Sequence, residues 1–113
     1  IYTPFAKAVL ERMPPRDALP APEALISPDR WPASDDLADW NLLPTRPDWA
    51  GGMRAFWQVG EAPAHARLDE WVEGVGGYHT GRNLPSQGGS SRLSPHLHWG
   101  EISPVQVWHR LAD

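Results

Sequence analysis

Apolar positions recur at helical spacing along much of the chain, and almost every such run is closed by proline or glycine. Ala6 to Met13 combines strong helix formers with an apolar face at Phe5, Val9 and Met13, and Pro14-Pro15 stops it because neither residue donates a backbone N–H. Ahead of it, the β-branched and aromatic residues of Ile1-Tyr2-Thr3-Pro4-Phe5 predict a strand end running into that helix. Ser34 followed by Asp35 and Asp36 predicts an N-cap with acids at the positive end of a helix dipole, and Leu37, Trp40 and Leu43 extend the pattern for about two turns. Trp49, Met53, Phe56 and Trp57 form another helical face, weakened by Gly51-Gly52. The longest stripe is Ala64, Leu68, Trp71, Val72 and Val75, which predicts a helix over Glu61 to Val75 with Gly60 as its cap. Ser94-Pro95 and Ser103-Pro104 each place a hydroxyl before a first-turn proline, and Ser103-x-x-Gln106 is a capping box. They predict a short helix from Pro95 to Trp99, ended by Gly100, and another from Pro104 past Leu111. The sum is a mainly α chain of short helices joined by Pro/Gly-rich loops.

Composition sharpens this picture. Thirteen Pro and ten Gly make 23 of 113 residues backbone punctuators, against an average near 12%. Six prolines fall between Pro14 and Pro32, so that stretch reads as an extended connector lying over another domain. Seven Trp are more aromatic surface than 113 residues can hide alone, since each large aromatic buries about 150–250 Å². The chain starts at Ile1 without Met and stops at Asp113 while a helical pattern is still running, and is expected to be a piece of a larger protein. It has no cysteine, no apolar run long enough for a membrane and no leader. That excludes disulfides and thiolate metal sites and makes a soluble, cytoplasmic protein the default.

Charge is uneven. Asp17 to Glu73 holds eleven acids and four Arg, whereas Gly74 to Ala112 holds three Arg, one Glu and four of the five His. The net charge of −4 argues against gripping nucleic acid by bulk charge, yet any polyanion would meet the C-terminal third.

The densest polar cluster is Gly88-Gly89-Ser90-Ser91-Arg92-Leu93-Ser94-Pro95. Two glycines allow close backbone approach, three hydroxyls and an Arg offer donors, and the following helix start adds unpaired N–H groups, as a phosphate or diphosphate requires. An ordinary Gly-Ser loop capping a helix uses the same residues. His96 and His98, two apart, point about 200° from each other on a helix and do not share an ion. The acids Asp69, Glu70 and Glu73 read as a solvated face. No Walker loop, dinucleotide fingerprint or nucleophile elbow occurs.

The segment Ser90-Ser91-Arg92-Leu93-Ser94-Pro95-His96-Leu97-His98-Trp99-Gly100-Glu101-Ile102-Ser103-Pro104 closely resembles the flavin-binding signature of the DNA photolyase/cryptochrome family. Ser90 stands where that family usually has Thr, keeping the hydroxyl. Gly60-Glu61 before an amphipathic helix, Tyr78 twelve residues ahead of the signature and Arg82 four after the Tyr match the family spacing. Tyr2-Thr3-Pro4-Phe5 looks like the last strand of the family's N-terminal antenna domain.

The resemblance implies that residues 1–13 end the α/β antenna domain, 14–57 form the interdomain connector and 58–113 begin the helical FAD-binding domain. It implies that Tyr78 contacts FAD, that Ser90, Ser91, Arg92, Leu93 and Ser94 hold its phosphates, and that Arg82 contacts a phosphate of UV-damaged DNA at the rim of the lesion cavity. In such photolyases the reduced flavin, excited by blue light, gives an electron to a flipped-out cyclobutane pyrimidine dimer. The implied whole is a monomeric lyase carrying a second antenna chromophore and resting on domains outside this segment, with the segment alone inactive. A cryptochrome, which signals without repair, uses the same cradle.

Overall fold

The computed structural model describes residues 2–43 and 45–113, and among them every regular element is helical. The chain divides into two compact units, one of Ile1–Leu19 with Val59–Asp113 and the other of Pro20–Gln58.

In the first unit, helix α1 spans Tyr2–Leu10. The predicted strand end at Tyr2 to Phe5 is therefore corrected: these residues are helical, while Ile1 lies outside the described residues. Pro4 sits in the first turn, where a missing N–H costs nothing, and Ala6, Lys7, Ala8 and Leu10 favour the helix. The aromatic and β-branched residues make a strand only where a neighbouring strand accepts their hydrogen bonds, and no strand occurs among the described residues. The Pro-rich segment behind α1 carries no regular element, and the Arg16 carbonyl lies 3.1 Å from His109 Nε2 near the end of the chain.

The second unit holds a single 3-10 turn at Leu37–Trp40 and helix α2, Gly51–Phe56. The 3-10 turn is shorter than predicted and its cap is Asp36, whose carboxylate accepts from the Ala38 N–H at 2.9 Å; Ser34 instead reaches the Asp35 carbonyl. Asn41, in the left-handed region at φ 50°, ends it.

The core belongs to the first unit. Helix α3, Glu61–Glu73, lays Ala64 and Leu68 inward, and these meet Leu93 and Ile102, with Trp71, Val72 and Val107 packed around them. Leu68, Leu93 and Ile102 are at most 2% exposed, and burial of each side chain contributes roughly 1.5–3 kcal/mol. The predicted stripe is thus the core-facing side of α3, though the helix stops at Glu73 and a 3-10 turn over Val75–Gly77 carries the chain into the short helix α4, Tyr78–Gly81.

Helices α5, Ser94–His98, and α6, Pro104–Ala112, close the unit. Ser94 lies inside α5, not at its cap: Leu93 already has helical backbone angles at the capping position, where its side chain is drawn into the core, and no side chain caps this helix. Gly100 turns the chain at φ +72°, the stop the sequence predicted. At α6 the capping box forms as expected, with the Ser103 hydroxyl accepting from the Gln106 N–H at 3.2 Å and Gln106 Oε1 accepting from the Ser103 N–H at 2.8 Å. An exposed Arg110–Asp69 pair at 2.6 Å links α6 to α3, the kind of contact that contributes about 0–1 kcal/mol.

Candidate functional site

The tightest structural demand in the first unit is where the glycine loop meets α4. A Cβ placed on Gly89 would stand 2.3 Å from the Gly81 carbonyl carbon and 2.5 Å from its oxygen. Gly89 therefore presses backbone against backbone, so its first role is to seat the loop on α4. Gly88 is looser: a Cβ placed there would first meet the Arg92 guanidinium, at 3.2 Å.

Seating the loop this way leaves a cavity of about 340 Å³ between it and α3–α4, lined by residues that include Arg67, Glu70, Trp71, Tyr78, Ser90 and Ser91. That volume lies within the range of about 300–1,000 Å³ usual for small-molecule sites. The Tyr78 ring meets Trp71 edge-on at 5.6 Å, and the Arg82 guanidinium carbon stands 5.3 Å from the centre of the Tyr78 ring. A cation at that distance is held by the ring's negative face.

Of the residues singled out in the sequence, the structure thus brings Tyr78, Ser90 and Ser91 to one cavity and sets Arg82 over the Tyr78 ring. Arg92, Leu93 and Ser94 are outside the cavity lining. Leu93 is a core residue whose N–H is 3.4 Å from the Ser91 hydroxyl, Arg92 adopts φ 55°, and Ser94 is the exposed first residue of α5. Arg67, Glu70 and Trp71 were missed. Trp71 packs on the core, as the stripe predicts, and Glu70 is exposed, as a solvated face requires; both also line the cavity, where Glu70 holds Arg67 at 3.1 Å.

Outside the cavity lining, a polar relay ties α5 to the start of α3. His96 is only 4% exposed, and its Nδ1 is 2.5 Å from Glu101 Oε2, while Glu101 Oε1 accepts from the Gly60 N–H at 2.7 Å. The His96 hydrogen bond, and after it the Gly60 amide, hold the Glu101 carboxyl below the ordinary carboxylate range. Among the described residues no three His, Cys, Asp or Glu side chains gather as a metal site, and no helix is long and apolar enough to cross a membrane.

The lining holds donors that a phosphate-bearing ligand would use, the hydroxyls of Ser90, Ser91 and Tyr78 and the guanidinium of Arg67, the last paired with the Glu70 carboxylate, beside an aromatic wall. No protein-family model matches the chain. It is 44% identical over 110 residues to the deoxyribodipyrimidine photo-lyase of Agrobacterium fabrum, covering 96% of this chain and 23% of that protein. The proteins of the same name from Synechococcus and Escherichia coli are 34% and 31% identical, over 96% and 98% of the chain. The crystal structure of a bacterial class III photolyase from Agrobacterium tumefaciens superposes with a TM-score of 0.88 at 43% identity, over 97% of this chain and 23% of that one. The chain spans about a quarter of the length of the relatives it matches. In sequence and in fold it is a segment of the DNA photolyase family.

Proposed function

We propose that the protein containing this segment is a blue-light-driven DNA photolyase that repairs cyclobutane pyrimidine dimers with reduced FAD, and that this segment supplies part of the FAD phosphate cradle and part of the DNA-contacting rim. The observation that carries the reading is the meeting of Tyr78, Ser90 and Ser91 around one cavity, within a chain that matches photolyases over 96–97% of its length.

On this reading the Ser90 and Ser91 hydroxyls donate to diphosphate oxygens, Tyr78 and Trp71 form the wall beside them, and Arg67 supplies positive charge. Arg92 and Ser94 complete the cradle from the loop's outer side, and Leu93 fixes its end to the core. The flavin, when bound, supplies the light-driven electron; the protein residues orient it and keep water from its phosphates. Arg82, exposed beside Tyr78, takes a backbone phosphate of damaged DNA at the rim. The domain reading follows: residues 1–13 end the antenna domain, 14–57 connect, and 58–113 open the FAD-binding domain. The whole protein is a cytoplasmic monomer with a second antenna pigment.

The test is light-dependent reversal of dimers in DNA by the full-length protein, against dark and undamaged controls. Reversal only in the light supports repair. A flavin-loaded protein that leaves dimers intact under blue light contradicts it and points to a cryptochrome.

A further inference from the structure

The cavity has two walls that are far apart in sequence. One is α3, carrying Arg67, Glu70 and Trp71; the other is the loop through Ser90 and Ser91. The core joins them at Leu68 and Leu93, but apolar contact is non-directional and does not by itself fix how a helix is turned. A directional link is present. Gly60, the residue before α3, donates to Glu101, and Glu101 holds His96 of α5, the helix that continues the loop. Gly60 and Glu101 are 41 residues apart, so the link joins the start of α3 to the segment that follows the loop.

The backbone around the link is built to make it. Gly60 has φ +111° and Gly100 φ +72°, conformations that L side chains rarely adopt. The Gly100 turn also lets the Glu101 N–H donate to the His96 carbonyl at 2.9 Å, so the two residues are tied by backbone as well as side chain.

We propose that Glu101, acting through His96 and the Gly60 amide, is a positioning residue for the phosphate pocket: it sets the spacing and orientation of the two walls that the ligand's phosphates bridge. The proposal rests on the flavin reading above. Breaking the relay frees α3 to tilt or turn about the Leu68 contact with the core, and the wall residues about two to three turns along the helix move with it. Loss of bound flavin then exceeds loss of stability, because several hydrogen bonds to one anion depend on sub-ångström placement.

The experiment measures flavin dissociation rate and thermal midpoint in the full-length holoprotein for the wild type, Glu101→Ala, Glu101→Gln and Leu68→Val. The last variant weakens the same core without touching the relay. Glu101→Ala is expected to release flavin about tenfold faster or more, and Glu101→Gln, which accepts from Gly60 and reaches His96 with its amide, to stay near the wild-type rate. Leu68→Val is expected to lower the midpoint with little change in release. If Glu101→Ala does not accumulate, Glu101→Asp, one methylene shorter, is expected to release flavin at an intermediate rate. The proposal is overturned if Glu101→Ala, or Glu101→Asp in its place, matches the wild type, or if release tracks the midpoint alike in the Glu101 variants and Leu68→Val. Wild-type protein that retains no flavin overturns the flavin reading and this inference with it; wild-type retention with unaffected variants overturns only the inference.

Discussion

Replacing Gly89 by Ala is the sharpest perturbation the structure offers. The new methyl would lie 2.3 Å from the Gly81 carbonyl carbon, 2.5 Å from its oxygen and 2.7 Å from its Cα. Ordinary carbon contacts begin near 3.5 Å, so the loop and α4 must part by about 1 Å. All three obstructing atoms are backbone, and no side chain can rotate away to make room. Overpacking of this kind costs about 1–3 kcal/mol, and the displaced segment is the one that carries Ser90 and Ser91 into the cavity. Urea denaturation and flavin retention in the full-length protein should both register the change, with retention falling by about tenfold or more. Gly52→Ala and Gly76→Ala are the controls, since nothing lies within 4 Å of a Cβ at either site and neither lines the cavity. A Gly89→Ala protein as stable and as flavin-loaded as these controls would refute the argument that this loop is seated by backbone contact.

Three further outcomes follow. Arg82→Ala should weaken binding of damaged DNA and reduce the slope of log K against log salt by about one phosphate; unchanged affinity and slope in a salt titration would remove Arg82 from the rim. Replacing Ser90 and Ser94 together by Ala should lower flavin occupancy after purification, with the larger share from Ser90, which lines the cavity; each hydrogen bond lost to a charged group is worth about 1.5–3 kcal/mol, and full occupancy counts against the cradle. The carboxyl of Glu101 is held low in the folded protein, chiefly by His96. Its contribution to stability is therefore complete above the unfolded carboxylate pKa of about 4.3 and is lost as pH falls through the lowered folded value. The difference in thermal midpoint between wild type and Glu101→Gln should shrink as acidity rises through that window, and a difference constant with pH would contradict the assignment.

Local signals were legible in the sequence. The Ser103–Gln106 capping box, the Gly100 stop and the inward stripe of α3 depend on residues within a turn or two, and all form as the pattern predicts. The departures share a different cause, namely competition from neighbours distant in sequence or absent. Tyr2 to Phe5 is helical since no strand lies beside it, and Ser94 loses its capping role because Leu93 is pulled into a core made by α3 and Ile102. Within the site, Tyr78, Ser90 and Ser91 line one cavity, while the close backbone contact of Gly89 with Gly81 depends on residues eight apart and has no local pattern. Arg67 carries no sequence pattern, and although His96 and Glu101 lie in the signature and Gly60 just before α3, their pairing depends on how α3 packs against α5 and the loop.

A crystal structure of the full-length protein with its flavin bound tests the central claim most directly. The account predicts diphosphate oxygens within hydrogen-bond reach, about 2.7–3.2 Å, of the Ser90 and Ser91 hydroxyls, with Tyr78 at their side. A diphosphate held elsewhere, with this glycine-serine loop facing solvent or packed on protein alone, would contradict it.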